Sequence, residues 1–152
     1  MQLNHLAKNR RSRGFTLLEV LVAMVVLSIG LLGLSGLQTS SLRNNHSAFL
    51  RSQATLVGND IIDRMRANRD SAVNGDYDIA YAATPTSSTC TSGCSASDVA
   101  DVDLGEWRSY VGRLPAGEGQ ISVTAAGIAE VRVRWGDARD GTQLEIVTRS
   151  QI

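Results

Sequence analysis

From Phe15 to Leu37 the chain is apolar, small or hydroxylic at every position except Glu19. At about 1.5 Å per residue this run spans roughly 35 Å as a helix, enough to cross a bilayer core. From Gln38 the pattern turns amphipathic without a break. No proline occurs before Pro85, and Leu42, Phe49, Ala54, Val57, Ile61 and Met65 recur near helical spacing. The pattern predicts one helix over about Phe15–Asn68, its first half (15–37) in a membrane and its second half (38–69) against a soluble domain. Asp70 to Asp103 is mostly small and polar. The whole stretch 70–119 reads as an irregular connection with a short helix at about 103–114, capped by Asp103 and burying Trp107, Val111 and Leu114. Leu114-Pro115-Ala116-Gly117-Glu118-Gly119 stops that helix. Gln120–Ala125, Glu130–Trp135 and Gln143–Arg149 then alternate apolar with polar residues, as strands do. Gly127 falls in the first turn and Gly136–Gly141 in a hairpin loop, so 120–152 reads as an antiparallel sheet. The fold class is α+β, a long N-terminal helix packed on a small C-terminal antiparallel sheet.

Composition changes the picture mainly through its unevenness. The 152 residues, 20% charged and 43% hydrophobic, exclude disordered, collagen-like and polytopic membrane classes. Formal charge is zero, yet Lys8, Arg10, Arg11 and Arg13 precede every acid. Without residues 1–13 the chain holds 15 − 4 = 11 basic residues against 15 acids, a net of −4. Nothing in that balance would hold a phosphate backbone, so no nucleic-acid partner is expected. The cationic flank orients the membrane helix with its N-terminus cytoplasmic and everything after Leu37 beyond the inner membrane. A secretory signal would have a shorter apolar core followed by a small-x-small cleavage site.

Candidate chemistry is sparse. Cys90 and Cys94, the only cysteines, lie together in the connector; outside the cytoplasm a disulfide is their natural state, with free thiols the alternative. The only histidines are His5 and His46, which leaves no metal site, no Ser/His/Asp or Cys/His set, no cofactor and no enzyme to propose. Asp98, Asp101, Asp103 and Glu106 lack EF-hand spacing and read as capping plus a solvated acidic face. Arg64, Arg66 and Arg69 read as a solvated helix end favoured by the helix dipole. Gly30, Gly33 and Gly36 either permit close helix approach or are ordinary membrane-helix glycines. Glu19 needs a reason, because an acid in an apolar membrane helix is costly. The helix dipole near its N-terminus is one account.

Gly14-Phe15-Thr16-Leu17-Leu18-Glu19, after a basic leader and before an apolar helix, resembles the type IV prepilin processing signal. The resemblance implies removal of residues 1–14 by a prepilin peptidase that cuts after Gly14 and methylates the new amine of Phe15. It implies that Glu19 of one subunit meets the terminal amine of the next in a filament. The order of parts resembles a type IV pilin over essentially the whole chain. Asp63-Arg64-Met65-Arg66-Ala67-Asn68-Arg69, Trp107-Arg108 leading to Leu114-Pro115, and Val131-x-Val133-x-Trp135 look most like PilV-type minor pilins, also called type IV pilus modification proteins. Those imply a structural subunit that primes pilus biogenesis and sits in the tip complex. Its implied partners are the prepilin peptidase, other minor pilins, the major pilin, a tip adhesin and the inner membrane. Its implied location is the inner membrane and then the surface pilus. A minor pseudopilin of type II secretion would share the leader and helix; a membrane-anchored periplasmic enzyme would have no use for a processing site. The cysteines depart from the pilin pattern in which a disulfide closes a large C-terminal loop.

Overall fold

A computed structural model describes residues 14–85, 89–137 and 140–152; the basic leader up to Arg13 lies outside the described residues. Helix α1 spans Leu17–Ala67, α2 Arg69–Val73 and α3 Ala96–Val111. Strands β1 (Glu118–Val123), β2 (Ile128–Gly136) and β3 (Gln143–Gln151) form one sheet in the order β1-β2-β3, antiparallel throughout. The α+β class and the long N-terminal helix are as the pattern predicts. The chain divides into two compact units, Met1–Ser40 and Ser41–Ile152.

In the first unit the apolar positions of α1 pack on nothing. Exposure of its large hydrophobic residues runs from 45% at Val20 to 82% at Leu17. A helix apolar on all sides is made for an apolar surrounding rather than for water.

The second unit has the core. Leu50, Ala54, Gly58, Ile61, Ile62 and Met65 form the buried stripe of α1, recurring every three or four residues. The inner face of the sheet answers with Ile121, Ala129, Val131, Val133 and Trp135, all buried. Gly58 marks where α1 meets the sheet: a Cβ there would touch Thr148 Oγ1 at 3.6 Å and Val131 Cγ1 at 4.0 Å. Helix α3 buries Ala100, Leu104, Trp107 and Val111. The Trp107 indole N–H donates to the Val57 carbonyl at 3.1 Å, which ties α3 to α1 through a fully buried ring. From the connector, Ile79 forms an antiparallel bridge with Ile121 and covers the outer edge of β1.

Two local expectations are corrected. Helix α3 begins at Ala96, well before Asp103, because Ser95 starts it with a reciprocal cap. The Ser95 hydroxyl accepts from the Asp98 N–H at 3.1 Å, and Asp98 accepts from the Ser95 N–H at 2.9 Å. Asp103 therefore lies mid-helix and points inward instead of capping. The expected solvated helix end holds at Arg66 and Arg69, which are exposed, but not at Arg64, which is half-buried, and all three reach partners. Arg66 bonds Asp63 at 2.6 Å, Arg69 donates to the Ile152 carbonyl at 3.0 Å, and Arg64 anchors the cluster described below.

Candidate functional site

Gly14 and Phe15 precede α1, and a Cβ on Gly14 would meet nothing within 4 Å. Thr16 then starts the helix: its hydroxyl accepts from the Glu19 N–H at 3.3 Å and its carbonyl from the same N–H at 3.1 Å. Thr-x-x-Glu has the spacing of a capping box, and that spacing is legible in the sequence. Glu19 thus stands in the first turn, where the helix dipole favours an acid. Phe15, Glu19, Val20, Ala23, Met24 and Leu27 line one shallow concavity on α1. The chain before Leu17, the acid and the apolar surface are therefore brought onto one side of the helix start. Among the described residues, α1 is the one helix long and apolar enough to cross a membrane.

Cys90 and Cys94 belong to the other unit. They stand at disulfide distance, Cα to Cα 5.8 Å, immediately before the Ser95 cap of α3. No group of three or more His, Cys, Asp or Glu side chains able to hold a metal occurs among the described residues.

The second unit contains a polar cluster that the sequence reading missed. Tyr77 is fully buried and donates its hydroxyl to Asp103 at 2.6 Å. The other Asp103 oxygen accepts from Arg64 at 2.9 Å, and Arg64 also bonds Asp60 at 3.0 Å and Glu106 at 2.7 Å. Asn68 donates to the Tyr77 hydroxyl at 3.3 Å and to the Ala96 carbonyl at 2.7 Å. Burial pushes the Tyr77 hydroxyl pKa upward, and the bond to Asp103 pushes it the same way. Burial opposes the charge on Arg64, but its bonds to Glu106 and Asp103 and the attraction of Asp60 outweigh that, and its pKa rises. The cluster fastens the end of α1, the connector and α3 together. Every group in it is used in holding the others, which is the arrangement of a structural tie.

Arg108 is a second tie. It donates to the Tyr81 carbonyl at 2.8 Å and to that of Ala80, holding the connector on α3. Its burial lowers its pKa, with Glu118 acting against that shift. The outer face of the sheet alternates charge. Arg134 pairs with Glu118 at 2.6 Å and stacks over Tyr81, Arg132 reaches Glu130 at 2.6 Å and Glu145 at 3.5 Å, and Arg149 pairs with Glu130. The bond from Arg149 is the main reason the Glu130 carboxyl lies below the usual carboxylate range, and the Arg132 bond adds to it.

Comparison with known families gives two adjoining matches. A prokaryotic N-terminal methylation motif covers residues 9–35, and a model described as type IV pilin Tt1218 covers residues 36–105. Neither the curated proteins nor the solved structures match the chain.

Proposed function

We propose, from the premise that the chain is a type IV pilin-like protein, that it is a minor pilin which primes type IV pilus assembly and sits in the tip complex. That it is a pilin-type structural subunit, membrane-anchored and processed for assembly with other pilins, follows from the family matches. The observation that carries the pilin reading is the junction Gly14-Phe15, inside the methylation-motif match and directly before the exposed apolar first half of α1. The minor-pilin assignment is supported by the short motifs at Asp63–Arg69, Trp107-Arg108 and Val131–Trp135.

The prepilin peptidase cuts the Gly14–Phe15 peptide bond on the cytoplasmic side and methylates the freed amine of Phe15. The anchored subunit holds Ser41–Ile152 in the periplasm until it leaves the inner membrane for the filament. There α1 exchanges lipid for the helices of neighbouring pilins, and Glu19 meets a neighbour's terminal amine, so that neither charge stays buried alone. Partners are the peptidase, the major pilin, other minor pilins and an adhesin at the tip. The Cys90–Cys94 bond steadies the connector.

Purified pili analysed by mass spectrometry test this reading. The expected result is a chain beginning at methylated Phe15, far less abundant than the major pilin. Retention of residues 1–14 in assembled material, or abundance equal to the major pilin, would overturn it.

A further inference from the structure

Of the chain's asparagines only Asn74 is followed by a glycine. Such a pair is open to attack of the glycine backbone nitrogen on the asparagine side chain, because glycine has no Cβ to shield that nitrogen. Asn74 ends α2 at φ −73° and ψ −8°, and Gly75 follows at φ +92°, a region that favours glycine. The Asn74 side chain is exposed to water. The attacking group is restrained. The Gly75 N–H donates to the Ala72 carbonyl at 3.2 Å. A ψ of −8° also sets the Gly75 nitrogen in line with the nitrogen of Asn74, whereas ring closure needs it in line with Cβ.

The turn around this pair is fastened on both sides. The Asp76 N–H donates to the Ser71 carbonyl at 3.1 Å, and the Asp78 N–H to the Gly75 carbonyl at 3.0 Å. The buried Ser71 hydroxyl donates to the Asp76 carboxylate. Asp78 accepts from the Val123 N–H at 2.7 Å, which holds the exit of the turn on β1. Ala72 and Tyr77, before and after the pair, are fully buried. Rotating ψ of Asn74 therefore means releasing the Gly75 and Asp76 bonds together. A backbone amide held in this way reacts when its segment opens.

We propose that Asn74 is a deamidation site that the Ser71–Asp78 turn keeps shut, and that opening of the turn, not of the whole fold, releases it. In the open turn the Gly75 nitrogen bonds to Asn74 Cγ. The Cγ–Nδ2 bond breaks, the Gly75 proton passes through water to Nδ2, and ammonia leaves. Water then opens the succinimide ring. Attack at Cγ gives an ordinary aspartate, and attack at the backbone carbonyl gives isoaspartate, whose main chain runs through Cβ and Cγ. Neither product restores the starting turn. The new carboxylate joins Asp70, Asp76 and Asp78, and isoaspartate carries an extra main-chain carbon. A reversible opening thus leaves a permanent covalent record on the chain. The inference stands apart from the pilin reading and needs no filament for its test.

The test uses the mature full chain in detergent micelles, held in mildly alkaline buffer with and without urea. Digestion and mass spectrometry follow the amide of Asn74, and electron-transfer fragmentation separates aspartate from isoaspartate. In urea, conversion should be faster at Asn74 than at any other asparagine and should yield both products. Without urea it should be slower by about tenfold or more. Ser71→Ala frees Asp76 and leaves the Asn74-Gly75 pair intact, so the native rate should rise about threefold while the rate in urea stays the same. Leu50→Ala weakens the core about 25 Å from the end of α1 and should leave the native rate unchanged. Equal rates with and without urea overturn the proposal. So does equal acceleration by the two variants, which would mean that global unfolding exposes the site. Faster conversion at another asparagine in urea overturns it as well.

Discussion

The six-membered ring of Trp107 abuts Gly119: a Cβ at that position would stand 2.9 Å from the Cζ2 atom. The indole is fully buried, and its N–H is spent on the Val57 carbonyl, so the ring cannot turn away. Gly119→Ala is expected to destabilise the protein by about 1–3 kcal/mol through overpacking, and Trp107→Ala by about 3–5 kcal/mol through loss of the ring. Denaturant titration monitored by tryptophan fluorescence measures the first, and circular dichroism the second. A neutral Gly119→Ala would mean the ring has room to shift.

Asp103 and Glu106 both bond Arg64, but their settings differ, with side chains 14% and 53% exposed. Asp103→Ala removes an acceptor from both Arg64 and the buried Tyr77, and should cost about 2–3 kcal/mol. Glu106→Ala removes a water-screened partner and should cost no more than about 1 kcal/mol. Equal losses in chemical denaturation would contradict this ordering.

Tyr77 should give the fold an alkaline limit. Its pKa is raised in the folded state, so folding favours the neutral phenol. The stabilisation is complete below the unfolded pKa of about 10 and is lost as pH rises above it towards the folded value. Stability of the wild type should therefore fall above pH of about 10, and Tyr77→Phe should flatten that part of the profile. The same variant should lose about 1–2 kcal/mol at neutral pH, because Asp103 and Asn68 each lose one of their partners. Thermal denaturation across pH 8–11 decides the matter.

Closing the loop between Cys90 and Cys94 contributes at most about 2 kcal/mol in the chain-entropy model. The double Cys→Ser variant is expected to fold, with faster proteolysis confined to the connector before Ser95. Alkylation of both thiols in exported protein without prior reduction would show that they are not bonded.

Glu19→Ala should leave peptidase cutting intact, since the Gly14-Phe15 junction is unchanged, while Gly14→Val should block it. Processed Glu19→Ala protein should accumulate in the inner membrane and be scarce in sheared pili, with Glu19→Asp partly recovering. Entry at the wild-type level would leave the helix dipole as the reason for the acid.

What could be read from the chain was local and periodic. The long helix and the three-stranded sheet follow from spacings of three to four and of two, and the pilin family follows from the Gly14–Glu19 signature with its basic leader. What escaped was tertiary. Asp103 reads as a cap because it opens the stripe of Trp107 and Val111. Its actual partners, Arg64 and Tyr77, are 39 and 26 residues away, and no local pattern reports them. The true cap was legible in principle, because Ser95 and Asp98 have capping-box spacing, but the Ser/Thr-rich loop before them hid the boundary. Arg64 reads as solvated for the same reason: sequence shows a charge at a helix end and not the Asp103 and Glu106 that fold onto it.

The outer face of the sheet sets Glu118, Glu130 and Glu145 against Arg132, Arg134 and Arg149, so its charges sum to zero over a few ångströms. A surface with a net charge repels its own copies across a Debye length of about 8 Å at physiological ionic strength. This face exerts no such long-range force. Another surface can approach this face without charge repulsion, and changes in ionic strength leave that approach largely untouched.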